Sequence, residues 1–272
     1  MRVRAVVAAA SLFAALLLAA ERAAAADAPF APPAADAMPQ GHLGDAIRYG
    51  ERVAAQTATI VKANVGAGLV CTSCHINGAR TPNASPWVGL WGVYPAYDAR
   101  SGRVITLADR INECLRRSMN GKPLPDGSIA MRGLLSFIWW LSKDVPTGES
   151  VAGRGFVEIQ APGTADPIRG KVLYAEKCAA CHGSSGQGVM GVGGQVVFPP
   201  LWGPRSFNIG AGMARLDTAA AFVKAKMPLG GVAISDQDAY DVAAYFTRQP
   251  RPDFKAKKGD WPNGGKPADA RY

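Results

Sequence analysis

One short pattern occurs twice in this chain and constrains its fold more than any other feature. Two cysteines separated by two residues are followed directly by a histidine, first as CTSCH and then as CAACH. This spacing is the attachment signal for haem c, in which both thiols bond to the porphyrin and the histidine binds the iron. A thioredoxin-like dithiol could account for one copy, but two copies predict two covalently attached haem c groups. The residues concerned are Cys71, Cys74 and His75 in the first copy and Cys178, Cys181 and His182 in the second.

The first residues have the features of a secretory signal peptide. Arg2 and Arg4 precede a short apolar run, and an alanine-rich segment continues up to Asp27. A basic start, a short apolar run and a small-residue cleavage site are typical of exported chains, and a retained membrane anchor is the alternative. We therefore predict a signal peptide over residues 1–26, a mature protein in the periplasm, and no membrane insertion after cleavage.

The charge balance of the chain is basic. Lysine and arginine together number 30, against 21 for aspartate and glutamate. A positive surplus favours anionic partners, and no nucleic acid is expected because the chain lacks a basic patch with interleaved aromatic residues. Small anions or an acidic redox partner are the better candidates.

The two haem motifs open two similar halves of the chain. Each motif is followed by Leu-Trp-Gly, then by a segment that carries a methionine, and then by a closing helix candidate. With about 245 residues left after the leader, this duplication predicts two domains. The order of helix, haem loop and closing helix resembles the class I cytochrome c fold. We predict an all-α protein with two class I cytochrome c-like domains in tandem, each with one covalently bound haem c, joined by an extended linker.

Composition suggests where these domains begin and end. The N-terminal domain is expected over residues 27–147 and the C-terminal domain over residues 167–250. Residues 148–166 contain several prolines and glycines, which is typical of a linker. Residues 251–272 are polar and also rich in proline and glycine, so we expect a tail that extends over the surface.

At least one of the two irons must take a sixth ligand other than histidine, because the only histidine outside the motifs is His42. That residue lies ahead of the first predicted helix, and we interpret it as a surface or capping residue. In the second half, Met227 ends a predicted short helix and precedes a proline. Its position resembles that of the axial methionine of cytochrome c. Lys226 is the alternative ligand if its amine loses its proton.

The first half offers two candidates for the sixth ligand. Met119 occupies the position that corresponds to the methionine of the second half. Cys114 lies on the apolar face of a helix that Thr106 is expected to cap, and Arg110 and Arg117 lie beside it on that helix. Nearby cations favour the thiolate, which is the form that binds iron and acts as a nucleophile. A small buried cysteine is a third interpretation, so the residues alone leave the ligand open.

Three segments together resemble a known family. They are RINECLRRSMNGKPLP after the first motif, KMP after the second, and the closing DFKAKKGDWPNGGKPADARY. These segments are similar to those of the dihaem thiosulfate dehydrogenases, periplasmic enzymes that join two thiosulfates into tetrathionate. The likeness extends over nearly the whole predicted mature chain.

The resemblance implies a role for each haem. The first haem would be the active-site haem, with His75 and Cys114 as axial ligands, and Met119 would become a loop-packing residue. The second haem would transfer electrons outward, with His182 and either Met227 or Lys226 as its ligands. The residues that the resemblance places at the substrate pocket are Cys114, Arg100, Arg110, Ser118 and Lys122.

These implications define a functional hypothesis. The chain would couple two thiosulfates to tetrathionate, and the same site could also run in reverse. Cys114 would leave the iron and form a transient adduct with the first thiosulfate, which a second thiosulfate would attack. Two electrons would pass through the first haem and then the second to a soluble c-type cytochrome or a similar acceptor. The alternatives are a dihaem electron carrier without substrate chemistry and the dihaem subunit of a thiosulfate-oxidising cytochrome complex.

Overall fold

The computed structural model describes residues 27–160 and 163–272. The predicted signal peptide lies outside the described residues. Within them, none of the helices has the length and apolar character needed to span a bilayer. His42, which the sequence left without a role, lies exposed in the first turn of the first helix.

Most of the regular structure is helical. The helices are α1 (Gly41–Ala55), α2 (Thr57–Ile60), α3 (Ile76–Ala79), α4 (Leu107–Arg117), α5 (Ile129–Leu141), α6 (Pro167–Lys177), α7 (Ala179–His182), α8 (Leu216–Lys226) and α9 (Asp236–Arg248). The described residues also include short 3-10 helices at Ala35–Ala37, Lys62–Asn64, Cys71–Ser73, Trp91–Val93, Gly212–Ala214 and Lys255–Gly259.

The described residues also contain two small antiparallel hairpins, so the chain is not purely helical. The strands are β1 (Ala96–Asp98), β2 (Arg103–Ile105), β3 (Val189–Met190) and β4 (Val196–Phe198), paired β1 with β2 and β3 with β4. The first hairpin bridges the Leu-Trp-Gly loop and α4, and side chains such as Tyr97 and Val104 point into solvent. Strands this short and this exposed lack the alternating apolar pattern that identifies a strand in sequence.

The two halves repeat the same packing of a first helix against a last helix. In the N-terminal half α1 packs on α5, and in the C-terminal half α6 packs on α9. A glycine allows each close approach. A Cβ on Gly50 would stand 1.9 Å from the carbonyl oxygen of Gly133, and a Cβ on Gly170 would stand 1.9 Å from that of Asp241. The internal repeat seen in the sequence is therefore a repeat of the helix crossing.

The segment between the two halves packs on the N-terminal half. Ala28 pairs with Val151 and Ala84 pairs with Phe156 in isolated β-bridges. The ring of Phe156 also meets the ring of Phe222 on α8 at a centroid distance of 6.2 Å. The segment thus contacts both halves, while the exact domain boundaries remain a prediction.

Candidate haem sites and active site

A cavity of about 360 Å³ adjoins the first motif. Its wall includes Cys71, Cys74 and His75 from that motif, and many of its other lining side chains are apolar. The apolar side chains come from several elements and include Leu69, Trp87, Leu90, Leu107, Ile111, Leu115, Leu134 and Ile138. Apolar walls around two thiols and an imidazole suit a porphyrin.

The histidine of the first motif is oriented by a backbone carbonyl. His75 Nδ1 donates to the carbonyl oxygen of Ser85 at 2.6 Å, which fixes the orientation of the ring. The hydroxyl of Thr57 lies 3.3 Å from the sulfur of Cys71 and also accepts from its backbone N–H at 3.1 Å. Cys71 and Cys74 form no disulfide. This set of donors fits haem c, which Cys71 and Cys74 would attach and whose iron His75 would bind.

The second motif has the same arrangement. His182 Nδ1 donates to the carbonyl oxygen of Pro199 at 2.8 Å, and burial lowers the pKa of this imidazole, so the ring is held neutral for metal binding. Cys178 and Cys181 also form no disulfide. These residues fit a second haem c. Met227 directly follows α8 and is half-buried beside half-buried Lys226, so both stay predicted ligands of the second iron.

The sequence predicted the start of α4 correctly. Thr106 Oγ1 accepts a hydrogen bond from the backbone N–H of Asp109 at 3.1 Å, and the Asp109 carboxylate accepts one from the Thr106 N–H at 2.9 Å. This reciprocal pair of hydrogen bonds is a capping box, and it fixes the start of α4 directly after Thr106. Ile111, Cys114 and Leu115 therefore lie on one face of α4, and all three line the cavity.

Cys114 has a cation within hydrogen-bond distance. Arg110 Nη1 donates to Cys114 Sγ at 2.9 Å. Burial acts to raise the pKa of the Cys114 thiol, but the Arg110 guanidinium and a hydrogen bond with His75 outweigh it and lower the pKa from 9.0 to about 7. A substantial fraction of Cys114 is therefore thiolate at neutral pH. His75 and Cys114, which the family resemblance implies as ligands of one iron, both line this cavity.

Met119, the other candidate ligand of the first iron, is buried and also lines the cavity. Its backbone N–H donates to the carbonyl of Cys114 at 3.0 Å, and its own carbonyl accepts from Gly66 and Ala67 at 2.9 Å each. The loop beyond it is fixed by Asn112, whose side-chain amide makes two hydrogen bonds to the backbone of Leu124. Both candidates therefore sit at the cavity, but only Cys114 is paired with a cation there among the described residues.

The structure brings only part of the predicted substrate pocket together. Arg110, Cys114 and Ser118 line the cavity, whereas Arg100 and Lys122, both described residues, are not part of its wall. The Arg100 guanidinium binds Asp260 and Tyr272 instead. Lys122 is exposed on the loop after α4.

Several cavity residues were not assigned to this site from the sequence, among them a tyrosine, an arginine and a methionine. Tyr94 lies beside Arg110, whose positive charge opposes the rise in the pKa of the Tyr94 phenol that burial causes. Arg154 comes from the segment that was treated as a linker, and Met213 comes from the C-terminal half. The sequence signal for Arg154 was a cation between two glycines, Gly153 and Gly155, in an otherwise weakly charged stretch.

Two sequence profiles match the two halves of the chain. The profile described as "SoxA/TsdA, cytochrome c domain" matches residues 60–147. The profile described as "Cytochrome C oxidase, cbb3-type, subunit III" matches residues 165–246. The fold and the two sites therefore define a c-type cytochrome with two covalently bound haem c groups, one in each domain, as the sequence predicted.

Relatives of known name indicate which family of dihaem c-type cytochromes this chain belongs to. A thiosulfate dehydrogenase of Psychrobacter arcticus is 45% identical over 235 residues, which cover 86% of this chain and 72% of the relative. A thiosulfate dehydrogenase of Allochromatium vinosum is 44% identical over 233 residues, covering 84% of this chain and 86% of the relative. The chain belongs to the thiosulfate dehydrogenase family, and the resemblance found in the sequence is confirmed.

A solved structure agrees with the fold. The structure titled thiosulfate dehydrogenase (TsdBA) from Marichromatium purpuratum, in its "as isolated" form, superposes with a TM-score of 0.80 at 44% identity. The match covers 82% of this chain and 50% of the other, so this chain spans about half the length of that protein. The tandem cytochrome c architecture predicted from the sequence is thus confirmed.

Proposed function

We propose that this chain couples two thiosulfate anions into tetrathionate in the periplasm and passes the two electrons to a cytochrome acceptor. The observation that carries the proposal is the contact of 2.9 Å between Arg110 and Cys114 at the wall of the first haem cavity. A purely electron-carrying cytochrome has no need of a thiol paired with a cation at its haem. The names of the relatives support the same reaction.

The cavity offers a binding site of suitable charge for the substrate. Thiosulfate is a dianion, so bringing two of them together requires positive groups in a confined space. Arg110 and Arg154 supply two cations in the cavity wall, and the hydroxyl of Ser118 supplies a neutral donor. Arg100 and Lys122 stay predicted pocket residues on the strength of the family resemblance alone.

Cys114 is proposed as the group that forms a bond with the substrate. Its thiolate bonds to the sulfane sulfur of the first thiosulfate, giving a Cys114 S-thiosulfonate and releasing two electrons. The sulfane sulfur of the second thiosulfate then attacks the sulfane sulfur of this adduct. The bond to Cys114 breaks, tetrathionate leaves, and the thiolate is restored. The two haems, held by the two Cys-x-x-Cys-His motifs, would supply the oxidising capacity of one electron each, and the electrons would leave by way of the first and then the second haem to an acceptor such as a soluble c-type cytochrome.

Arg110 has two tasks in this scheme. It keeps Cys114 in the thiolate form before attack, and it compensates the negative charge when both sulfur anions are present. His75 and Cys114 are proposed as the residues that would hold the first iron, and His182 with Met227 or Lys226 as those that would hold the second. The cavity extends to Gly212, Met213 and Thr218 of the C-terminal domain, which supports electron transfer between the two domains.

Thiosulfate-dependent reduction of ferricyanide tests the proposal. The parent holoprotein is compared with Cys114→Gly and with Ser136→Ala, a control at a half-buried residue of α5 outside the cavity wall, and the haem content of each protein is measured. We expect activity in the parent and in Ser136→Ala, and a loss of at least about a hundredfold in Cys114→Gly. An inactive parent with full haem content would favour an electron carrier or a subunit that needs a partner chain. Equal activity in all three proteins would show that the reaction does not need Cys114.

A further inference from the structure

The C-terminal tail, residues 251–272, which we expected to extend over the surface, contacts the N-terminal domain. Asp260 accepts hydrogen bonds from Arg117 Nη1 at 2.7 Å and Nη2 at 2.8 Å, the two-pronged geometry of a strong arginine–carboxylate pair. The same carboxylate accepts from Arg100 Nε at 2.7 Å. One tail residue thereby joins α4 to the loop between β1 and β2.

The side chains of Asp260, Arg117, Arg100 and Tyr272 form a largely buried cluster, and their polar groups are hydrogen-bonded to one another. The Asp260 side chain is 5% exposed and that of Arg117 is 10% exposed. The hydroxyl of Tyr272 donates to Asp260 and accepts from Arg100 Nη2 at 2.7 Å. A paired carboxylate with so little exposure is costly to disrupt, because removing it leaves buried cations without a partner.

Aromatic rings of the tail cover both guanidinium groups. The Arg117 guanidinium carbon lies 4.2 Å from the ring centre of Phe254, and that of Arg100 lies 4.8 Å from the ring centre of Trp261. The backbone N–H of Trp261 also donates to the carbonyl of Arg100 at 2.7 Å. The tail therefore holds these arginines by charge, by hydrogen bonds and by stacking.

The C-terminal domain holds the same end of α4 through a second contact. Asn208 is buried, and its side-chain amide donates to the carbonyl of Arg116 at 2.9 Å, while its backbone N–H donates to the carbonyl of Arg117 at 3.2 Å. The last carbonyls of a helix have no partner within the helix, so these bonds fix its end. Cys114 lies less than one turn before this end, and Ser118 directly follows it.

We propose that Asp260 is a positioning residue for the active site. Through Arg117 it fixes the C-terminal end of α4 and thereby holds Cys114 and Ser118 at the cavity wall. Through Arg100 it fixes the hairpin of β1 and β2. We call Asp260, Arg117 and Arg100 together the clamp. Arg117 is also paired with Glu113 at 2.6 Å, so the clamp leaves Arg110 as the cation that acts on Cys114. The kinetic part of this proposal rests on the proposed function, whereas its spectroscopic part does not.

The test compares three holoproteins: the parent, Asp260→Asn, and Asp253→Asn as a matched control. Asp253 is a 58%-exposed carboxylate of the same tail that pairs with Lys257. The electron paramagnetic resonance spectrum of the first haem reports its axial ligation, and the assay with thiosulfate gives kcat and KM. We expect Asp260→Asn to split or shift the signal of the first haem and to lower kcat by roughly 10- to 100-fold with little change in KM. Asp253→Asn should match the parent in both measurements.

Asp260→Asn that keeps the parental spectrum and kcat would overturn the proposal. If this variant fails to attach haem, Tyr272→Phe decides, because it removes only the hydroxyl that bonds Asp260 and Arg100. It should change the spectrum and kcat in the same direction by a smaller factor, and an unchanged Tyr272→Phe would overturn the proposal in that case. A parent without thiosulfate activity would refute the proposed function while leaving the spectroscopic comparison decisive for the clamp.

Discussion

Arg110 Nη1 lies 2.9 Å from Cys114 Sγ, one turn earlier on the same helix. Both residues lie on α4, and the cavity that they line is formed by side chains from both domains. Its geometry depends on the capped start of α4 and on the clamp at its end. The proposed chemistry therefore depends on how this one short helix is held.

Replacement of Arg110 tests the electrostatic part of the account. In Arg110→Met the pKa of Cys114 should rise from about 7 toward its ordinary value of 9.0, because burial would no longer be opposed by the guanidinium. The thiolate is the form present above the pKa, so activity at pH 7 should fall at least about tenfold and recover in part as the pH approaches 9. Rates of thiosulfate oxidation measured from pH 6 to 9 check this.

The control for that experiment is Arg103→Met, an exposed arginine on β2 that pairs with Asp109 at 3.4 Å. It should keep the parental pH profile. An Arg110→Met profile that coincides with the parental one would show that the guanidinium does not govern the thiol.

Arg154 is expected to bind substrate without contributing to iron ligation. Arg154→Gln should raise the KM for thiosulfate by about tenfold, because a charged hydrogen-bond donor in the cavity wall is replaced by a neutral one. The visible and electron paramagnetic resonance spectra of the first haem should not change. Arg132→Gln, on the exposed face of α5, is the matched control. An unaltered KM in Arg154→Gln would remove Arg154 from the site.

The second haem should respond to Met227. Met227→Leu is expected to lower its reduction potential by on the order of 100 mV, within the roughly 0.8 V that axial ligands span. Spectroelectrochemical titration measures this, with Met190→Leu as a control on β3. If Met227→Leu leaves the potential unchanged while Lys226→Met shifts it, the lysine is the ligand.

The helix crossing should be sensitive to a single methyl group. Gly50→Ala places a Cβ 1.9 Å from the carbonyl oxygen of Gly133, so α1 and α5 must separate. We expect a loss of about 1–3 kcal/mol in the free energy of unfolding. Gly127→Ala, at a position where an added Cβ meets nothing within 4 Å, should be close to neutral. Denaturant unfolding of the holoproteins measures both, and equal stabilities would contradict the close crossing.

Sequence patterns predicted those parts of the site that depend on local spacing. The haem motifs, the Thr106 cap of α4 and the placement of Cys114 on its apolar face each follow from residues within a few positions of one another. Helical periodicity and capping are properties of a short stretch of chain, so they can be inferred before the fold is known.

Contacts between distant segments could not be predicted in this way. Arg154 reaches the cavity because its segment packs along the N-terminal domain, and Asp260 reaches Arg117 because the tail folds back over α4. Neither segment has a periodic apolar pattern that would indicate where it packs. Sequence patterns also could not show that the side chain of Arg100, which stays a predicted pocket residue, is hydrogen-bonded to Asp260.

The most direct test of the account is to look for a sulfur adduct on Cys114 during turnover. Holoprotein oxidising thiosulfate with ferricyanide is quenched with acid, digested, and analysed by mass spectrometry for the peptide that contains Cys114. The account predicts an S-thiosulfonate on Cys114 that is absent when the haems are reduced beforehand and no ferricyanide is added, and that is lost when excess thiosulfate is added after the ferricyanide is exhausted. An enzyme that turns over rapidly while Cys114 stays unmodified under every quench condition, and that keeps its activity in Cys114→Gly, would contradict it.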